Sequence, residues 1–215
     1  MAMKRWLLSM LVCAVGLLGW PDIGRGLNGD TYAPHTKIQI ELVDNALVAV
    51  GSSVSLEPFA LAVDEQVLSI RSRGSVAAVL TSNRFLAISE SSSGWVETPF
   101  SLNEGYAGKM TLSDNMVMMN TQDRVVGFDG VYNRLIPYDL PAGERVFDQG
   151  AGLNVLVFTT EYRAAGLAAG SDWNIQDFAI SETFRGLTVD ADRAAVQTST
   201  RLLTFSAAEA SWSTP

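Results

Sequence analysis

An all-β fold made of repeated four-stranded units is the structure that this sequence predicts. Three observations lead to it. The apolar runs are short and bounded by turn residues, the β-branched and aromatic content around them is high, and turn residues recur every eight to twelve positions. The runs are too short for ordinary helices, so they favour strands. A fourth feature, an internal repeat, determines how the strands are grouped.

The repeat is a Thr followed three residues later by an Arg, at a spacing near forty residues: Thr81/Arg84, Thr121/Arg124, Thr160/Arg163 and Thr198/Arg201. A Glu stands sixteen or seventeen residues before each Thr, at Glu65, Glu104, Glu144 and Glu182. Nine to eleven residues after each Arg come Trp95, Asn133, Trp173 and Trp212. One strand starts near the Glu, one ends at the Thr, one starts at the Arg and one starts at the Trp. Four short strands per forty residues are typical of a β-propeller blade.

The length predicts about five blades. Removing the first twenty residues leaves 195, which is five units of thirty-nine. We therefore predict one β-propeller domain over 21–215, with blades at 21–62, 63–102, 103–140, 141–180 and 181–215. The first unit is degenerate, with Leu42 at the Thr position and Asn45 at the Arg position. Its predicted strands are Leu27–Tyr32, Lys37–Val43, Ala46–Val50 and Ser55–Ala62.

The repeat resembles the β-propeller repeat superfamily over all 195 residues. It lacks the Gly-His and Trp-Asp pairs of the WD40 class, the double Gly of kelch, the Asp-box of sialidases and the YWTD motif. The resemblance therefore implies a fold. It implies no catalytic or ligand-binding residues.

The first twenty residues look like a secretory signal peptide. Lys4 and Arg5 precede an uncharged apolar run from Trp6 to Trp20 that is short for a membrane-spanning helix. An uncleaved N-terminal anchor and a lipoprotein attached through Cys13 are the alternatives. Export predicts a periplasmic or secreted protein without a membrane span in the mature chain. Cys13 is the only cysteine, so the mature chain would carry no disulfide and no thiol chemistry.

The charge of the chain argues against nucleic-acid binding. Without Lys4 and Arg5, the 15 basic residues fall to 13 against 23 acidic ones, a formal charge of about −10. A protein that contacts a phosphate backbone normally carries a basic surface. We expect the acidity to serve solubility rather than cation binding, and we expect no cofactor.

The Glu, Thr and Arg of each unit should lie on one face of the propeller, because the first and third strands of an antiparallel blade run in the same direction. We call each such set a latch, after its structural interpretation: Arg donates a charge-assisted fork to Glu, and Thr fills a remaining hydrogen-bond position. The alternative is a ring formed by Arg84, Arg124, Arg163 and Arg201 that captures an anionic ligand. A ligand site would more naturally be a departure from the repeat.

Trp95, Trp173 and Trp212 should lie on the opposite face, where packing between blades competes with stacking against a sugar. Signals for catalysis or metal binding are weak. His35 is the only histidine, and no pair of carboxylates stands out. Loop acids such as Asp190 and Asp192 are too few for a calcium loop.

We therefore expect an exported binding or assembly module that recognises a protein or a cell-envelope glycan, rather than an enzyme. The alternatives are a lyase or hydrolase acting on a sugar or lactone in the central funnel, and a structural subunit that associates with a copy of itself.

Overall fold

The computed structural model describes residues 36–51, 57–102 and 104–214, and within these ranges every regular element is a β-strand. The strands form five antiparallel sheets in chain order, so the prediction of an all-β propeller of about five blades is confirmed. The predicted signal peptide, the predicted strand Leu27–Tyr32 and His35 lie outside the described residues.

Each sheet is one blade, and neighbouring strands in a blade are consecutive in the chain. Blade 1 contains β1 (Ile38–Val43), β2 (Ala46–Gly51) and β3 (Phe59–Ala60) within the described residues. Blade 2 contains β4 (Val67–Arg73), β5 (Val76–Thr81), β6 (Arg84–Ser89) and β7 (Val96–Pro99). Blade 3 contains β8 (Tyr106–Leu112), β9 (Met116–Thr121), β10 (Arg124–Asp129) and β11 (Arg134–Asp139). Blade 4 contains β12 (Asp148–Ala151), β13 (Val155–Thr159), β14 (Arg163–Ala168) and β15 (Asn174–Asp177). Blade 5 contains β16 (Phe184–Val189), β17 (Arg193–Thr198), β18 (Leu202–Ser206) and β19 (Ser211–Ser213).

The cores lie between consecutive blades. Phe85 and Phe128 belong to the cluster between blades 2 and 3, Phe158 to the cluster between blades 3 and 4, and Phe205 to the cluster between blades 4 and 5. The second strands of blades 2, 3 and 4 are buried along their whole length, on both faces. This explains why their sequences are continuous apolar runs without alternation.

Neighbouring blades approach so closely that some positions require glycine. A Cβ on Gly166 would lie 2.5 Å from the ring of Phe205, and a Cβ on Gly152 would lie 1.8 Å from the carbonyl oxygen of Asp190. The hairpins between first and second strands also join blades directly. Ser75 N–H donates to Asp114 O at 2.8 Å, and Asn154 N–H donates to Ala191 O at 2.9 Å.

Blade 5 is buried on one face only. Along β17 and β18, burial alternates with every residue. The side chains of Ala194, Val196, Leu203 and Phe205 pack towards blade 4. The opposite face of these two strands is mostly polar and carries Arg193, Ala195, Gln197, Leu202, Thr204 and Ser206. Blade 5 therefore has the composition of an end unit rather than that of blades 2 to 4.

The sequence alignment of blade 1 was wrong by one residue. Val43 pairs with Ala46 across the hairpin, and these two residues occupy the Thr and Arg positions, not Leu42 and Asn45. Asp44 and Asn45 both have positive φ (47° and 61°), as in a type I′ turn. Without a Thr and an Arg to mark the register, the sequence could not distinguish these two alignments.

Candidate functional site

Each Thr of the repeat builds the turn that it begins. The hydroxyl oxygen of Thr81 accepts the backbone N–H groups of Asn83 at 3.1 Å and Arg84 at 3.0 Å. The same pair of bonds recurs at Thr121, Thr160 and Thr198. A short hydroxyl side chain at this position satisfies two turn donors, which is the physical reason for the Thr-x-x-Arg spacing.

Each Glu closes the turn that joins one blade to the next, which we call the crossover turn. The backbone N–H of Glu65 donates to Ala62 O at 3.0 Å, and the Glu65 carboxylate accepts the N–H of Ala62 at 3.0 Å. Glu104 and Glu182 make the same side-chain bond to Ser101 and Ala179. Each latch therefore joins a crossover turn to the hairpin of the following blade.

The Arg of each latch forks onto the Glu of its own unit. In blade 2, Arg84 Nε and Nη2 donate to the two Glu65 oxygens at 2.8 and 2.5 Å, and Thr81 donates to Glu65 at 2.6 Å. Arg124 forks onto Glu104 at 2.6 and 3.0 Å. Arg201 forks onto Glu182 at 2.9 and 3.0 Å, where Thr198 also donates a hydrogen bond.

Two of these guanidinium groups also donate hydrogen bonds to the preceding blade. Arg124 donates to Pro99 O at 2.5 Å and to Thr98 Oγ1 at 3.2 Å, and Arg201 donates to Asp177 O at 3.1 Å. The structure thus brings together all twelve residues that the repeat marked, as four sets, each within its own unit.

The latch of blade 4 makes fewer bonds. Pro141 occupies the position of Ala62, so this crossover turn has no N–H to offer Glu144. Arg163 Nη2 lies 3.1 Å from Glu144, but Arg163 Nε is buried without a partner among the described residues. Thr160 donates to Glu144 at 2.8 Å.

The latches of blades 2, 3 and 5 hold their carboxylates in the charged form. Hydrogen bonding from Arg84 lowers the pKa of Glu65 to about 2, and Arg201 does the same for Glu182. Burial acts to raise the pKa of Glu104, but bonds from Arg124 and from the Ser101 N–H outweigh it, so the pKa is lowered. A carboxylate that stays ionised near neutral pH cannot serve as a general acid there.

At the other end of each blade, the Trp position connects to the preceding blade. Trp173 Nε1 donates to Ile136 O at 2.9 Å, and Trp212 Nε1 donates to Asn174 O at 3.0 Å. Asn133, which replaces a Trp, donates to Gly94 O at 3.2 Å. Trp173 also packs edge-on against Phe158, with ring centroids 5.2 Å apart. These indoles are engaged within the fold, so the geometry supports packing rather than sugar stacking.

The face that carries the latches, which we call the latch face, is also the more apolar one. It is formed by the crossover turns, the hairpins between second and third strands, and the adjoining strand ends. Nine of the fourteen exposed large hydrophobic residues among the described residues lie there. They are Leu42, Val43, Val63, Leu68, Leu102, Phe147, Tyr162, Ile180 and Leu202.

Three of these residues occupy the same place in three of the four crossover turns, and the fourth turn has Ala142 there. Val63, Leu102 and Ile180 each stand two residues before a latch Glu and are 95%, 104% and 110% exposed. Turn centres normally carry Gly, Pro, Asn, Asp or Ser, so a large apolar residue is not needed to make the turn. Sequence reasoning missed these residues. The spacing of Val, Leu and Ile two positions before the Glu could have revealed them.

Exposed charges on the latch face are mainly acidic. Its turns and strand ends carry six exposed carboxylates outside the latch Glu residues, on Asp44, Asp64, Asp123, Asp139, Glu161 and Asp177. The exposed basic residues there are Arg145 and Arg185. The face therefore combines apolar side chains with an excess of negative charge.

A groove of about 470 Å³ lies on the latch face at the junction of blades 4 and 5. Phe147 and Tyr162 line it from blade 4, Phe178 and Ile180 from the crossover, and Phe184 from blade 5. Phe178 N–H donates to Tyr162 O at 2.7 Å, which joins two of its walls. The carboxylate of Glu161 raises the pKa of the neighbouring Tyr162 hydroxyl.

The described residues contain no group of three or more His, Cys, Asp or Glu placed to hold a metal ion. They also contain no helix long and apolar enough to cross a membrane.

No protein-family model matches the chain, and no curated protein matches it. Among solved structures, it is similar to Prp20p from Saccharomyces cerevisiae at 7% identity, with a TM-score of 0.42 over 80% of this chain and 55% of the other. It is also similar to Hsv2 from Kluyveromyces lactis at 12% identity, with a TM-score of 0.39 over 83% of this chain and 61% of the other. The chain thus spans little more than half the length of these proteins. At such values the likeness carries no functional argument.

Proposed function

We propose that this protein is an exported β-propeller binding module that engages a protein partner through its latch face. The observation that carries the proposal is the repeated exposure of Val63, Leu102 and Ile180 at crossover turns that do not need them. Leaving such residues in water gives up about 1.5–3 kcal/mol of burial each, which a partner surface would recover.

A protein partner is favoured over a cell-envelope glycan. Of the indoles that would stack on a sugar, Trp173 and Trp212 donate their N–H groups to backbone carbonyls and pack against neighbouring rings, and Trp95 packs against Phe59. The latch arginines are likewise neutralised by their own carboxylates, which leaves little free charge for an anion-binding ring. No observation favours the enzyme alternative.

Site-specific photo-crosslinking in the source cells tests the proposed face. A photoreactive residue replaces Leu102 on the latch face or Tyr132 on the opposite face, where Tyr132 is also exposed. We expect discrete crosslinked proteins from position 102 and none from 132. Replacing Val63 and Ile180 by Ser in the same chain should abolish the crosslinks. Equal crosslinking from both positions, or none from 102, contradicts the proposal.

Export has its own test. The full-length chain is expressed in a bacterial host, and the N-terminus of the soluble product is sequenced. We expect a product that begins near residue 21. Recovery of intact Met1 in the cytoplasm, with no shorter species, would refute export and leave the binding face to be judged separately.

A further inference from the structure

We propose that the groove between blades 4 and 5 is the anchor of the latch-face interface, and that it takes a large apolar side chain from a basic polypeptide segment. This inference rests on the proposed function and names the partner's chemistry. Binding energy at protein interfaces concentrates in a few pockets that accept a buried aromatic or aliphatic side chain.

The groove departs from the repeat. At the hairpin turn that supplies Tyr162, blades 2 and 3 have Asn83 and Asp123, which are usual turn residues. Tyr162 is 54% exposed and lines the groove together with Ile180. Because blades 4 and 5 already satisfy the requirements of the fold, this departure indicates a role specific to this junction.

The walls of the groove are held in place before any partner arrives. Glu182 lines the groove, where its carboxylate is bound by Arg201 and Thr198. Arg201 also holds the carbonyl of Asp177, directly before Phe178. A preformed groove of this size can bury one large side chain at little cost in ordering.

The charge around the groove selects a basic segment. Glu161 is exposed on the turn beside Tyr162, and Asp139 and Asp123 lie on the same face. The nearby basic groups are Arg145, with its guanidinium carbon 5.9 Å from the centre of the Phe147 ring, and Arg185, which follows Phe184 in the chain. Since acids outnumber bases across the face, lysine or arginine beside the anchor side chain gains attraction that acidic residues would not.

Three capped tripeptides provide the probes: Lys-Trp-Lys, Glu-Trp-Glu and Lys-Ala-Lys. Each is titrated into the ¹⁵N-labelled protein at low salt and followed by amide chemical shifts. We expect Lys-Trp-Lys to bind at least about tenfold more tightly than either of the other two. The shifts should concentrate at the amides of Tyr162, Ile180 and Phe184. Raising the salt should reduce the preference over Glu-Trp-Glu.

Ile180→Ser should weaken Lys-Trp-Lys binding at least about fivefold. Val63→Ser is the matched control, because Val63 has the same place in another crossover turn, and it should have no effect. Equal binding of Lys-Trp-Lys and Glu-Trp-Glu, or shifts away from these amides, overturns the anchor. An Ile180-dependent dimer in sedimentation, or a groove already filled by residues 1–35 so that no peptide shifts these amides, also overturns it. Crosslinking from position 102 can still succeed in each case, so the two proposals fail separately.

Discussion

Replacing Arg124 by Ala removes a latch guanidinium that forms hydrogen bonds within its own unit and to the preceding blade. Arg124 makes two charge-assisted bonds to Glu104 and two bonds to the preceding blade. The Glu104 side chain is only 2% exposed. In the variant, it would retain the hydrogen bond from the backbone N–H of Ser101. Breaking a buried ion pair by removing one partner typically costs 3–5 kcal/mol.

The expected loss lies somewhat below that range. Arg124 is 17% exposed, so water can enter the space that its side chain leaves and hydrate the carboxylate. We expect the free energy of unfolding to fall by about 2–4 kcal/mol. For a domain of this size, the melting temperature should fall by about 5–15 °C, which calorimetry or circular dichroism can measure.

The other latches refine the test. Arg84→Ala should match Arg124→Ala, whereas Arg163→Ala should cost about half as much, because Arg163 Nε has no partner and only Nη2 contacts Glu144. Asp123→Ala, an exposed change in the hairpin of Arg124, is the control. Asn45, in the hairpin of blade 1 that lacks the Thr and Arg, would be a poor control because its side-chain amide donates a hydrogen bond to Leu61 O. If all three Arg variants are as stable as the parent, the latch is refuted and an anion-binding ring becomes the leading interpretation.

Three further predictions concern other contacts. Because the folded-state pKa of Glu65 is about 2, below its ordinary 4.5, the stability that it contributes is complete above pH 4.5 and is lost as the pH falls towards 2. Thermal melts across this range should show Glu65→Gln less sensitive to acid than the parent, and parallel curves would contradict this. Gly152→Ala should lower the melting temperature by several degrees because its Cβ meets the Asp190 carbonyl, whereas Gly94→Ala, with open space around it, should not. Trp173→Phe should cost about 1 kcal/mol by urea unfolding, since the bond to the Ile136 carbonyl is lost. No change would mean that the bond contributes nothing.

Much of the fold follows from local chemistry that a sequence displays. Thr81 and Arg84 mark a hairpin because the Thr hydroxyl accepts two N–H groups of the turn that it begins. The recurrence of this pair therefore locates the strand ends and the blade spacing in the sequence. Strand direction places Glu65 and Arg84 on one face, but the sequence left open whether Arg84 pairs with the Glu of its own blade or of a neighbouring one, and the structure shows its own. Blade 1 lacks these markers, and there the prediction was displaced by one residue.

The spacing to the latch Glu can locate the apolar turn residues in the sequence, but it does not tell whether they are exposed. Val63 and Leu102 belong to no periodic pattern of strand burial, and an apolar residue next to a turn is as easily a core residue as an exposed one. The carbonyl partners of Trp173 and Trp212 lie on the preceding blade, some 37 and 38 residues away. Such contacts depend on how blades pack, which no local motif encodes.

The polar outer face of blade 5 limits what can pack against it. Blades 2 to 4 offer apolar surface on both sides, so a duplicated copy of any of them would find matching neighbours on either side. A blade added after blade 5 would instead meet Arg193, Gln197 and Thr204. That surface therefore favours water or a polar partner over the kind of apolar packing that joins blades 2 to 4 to their neighbours.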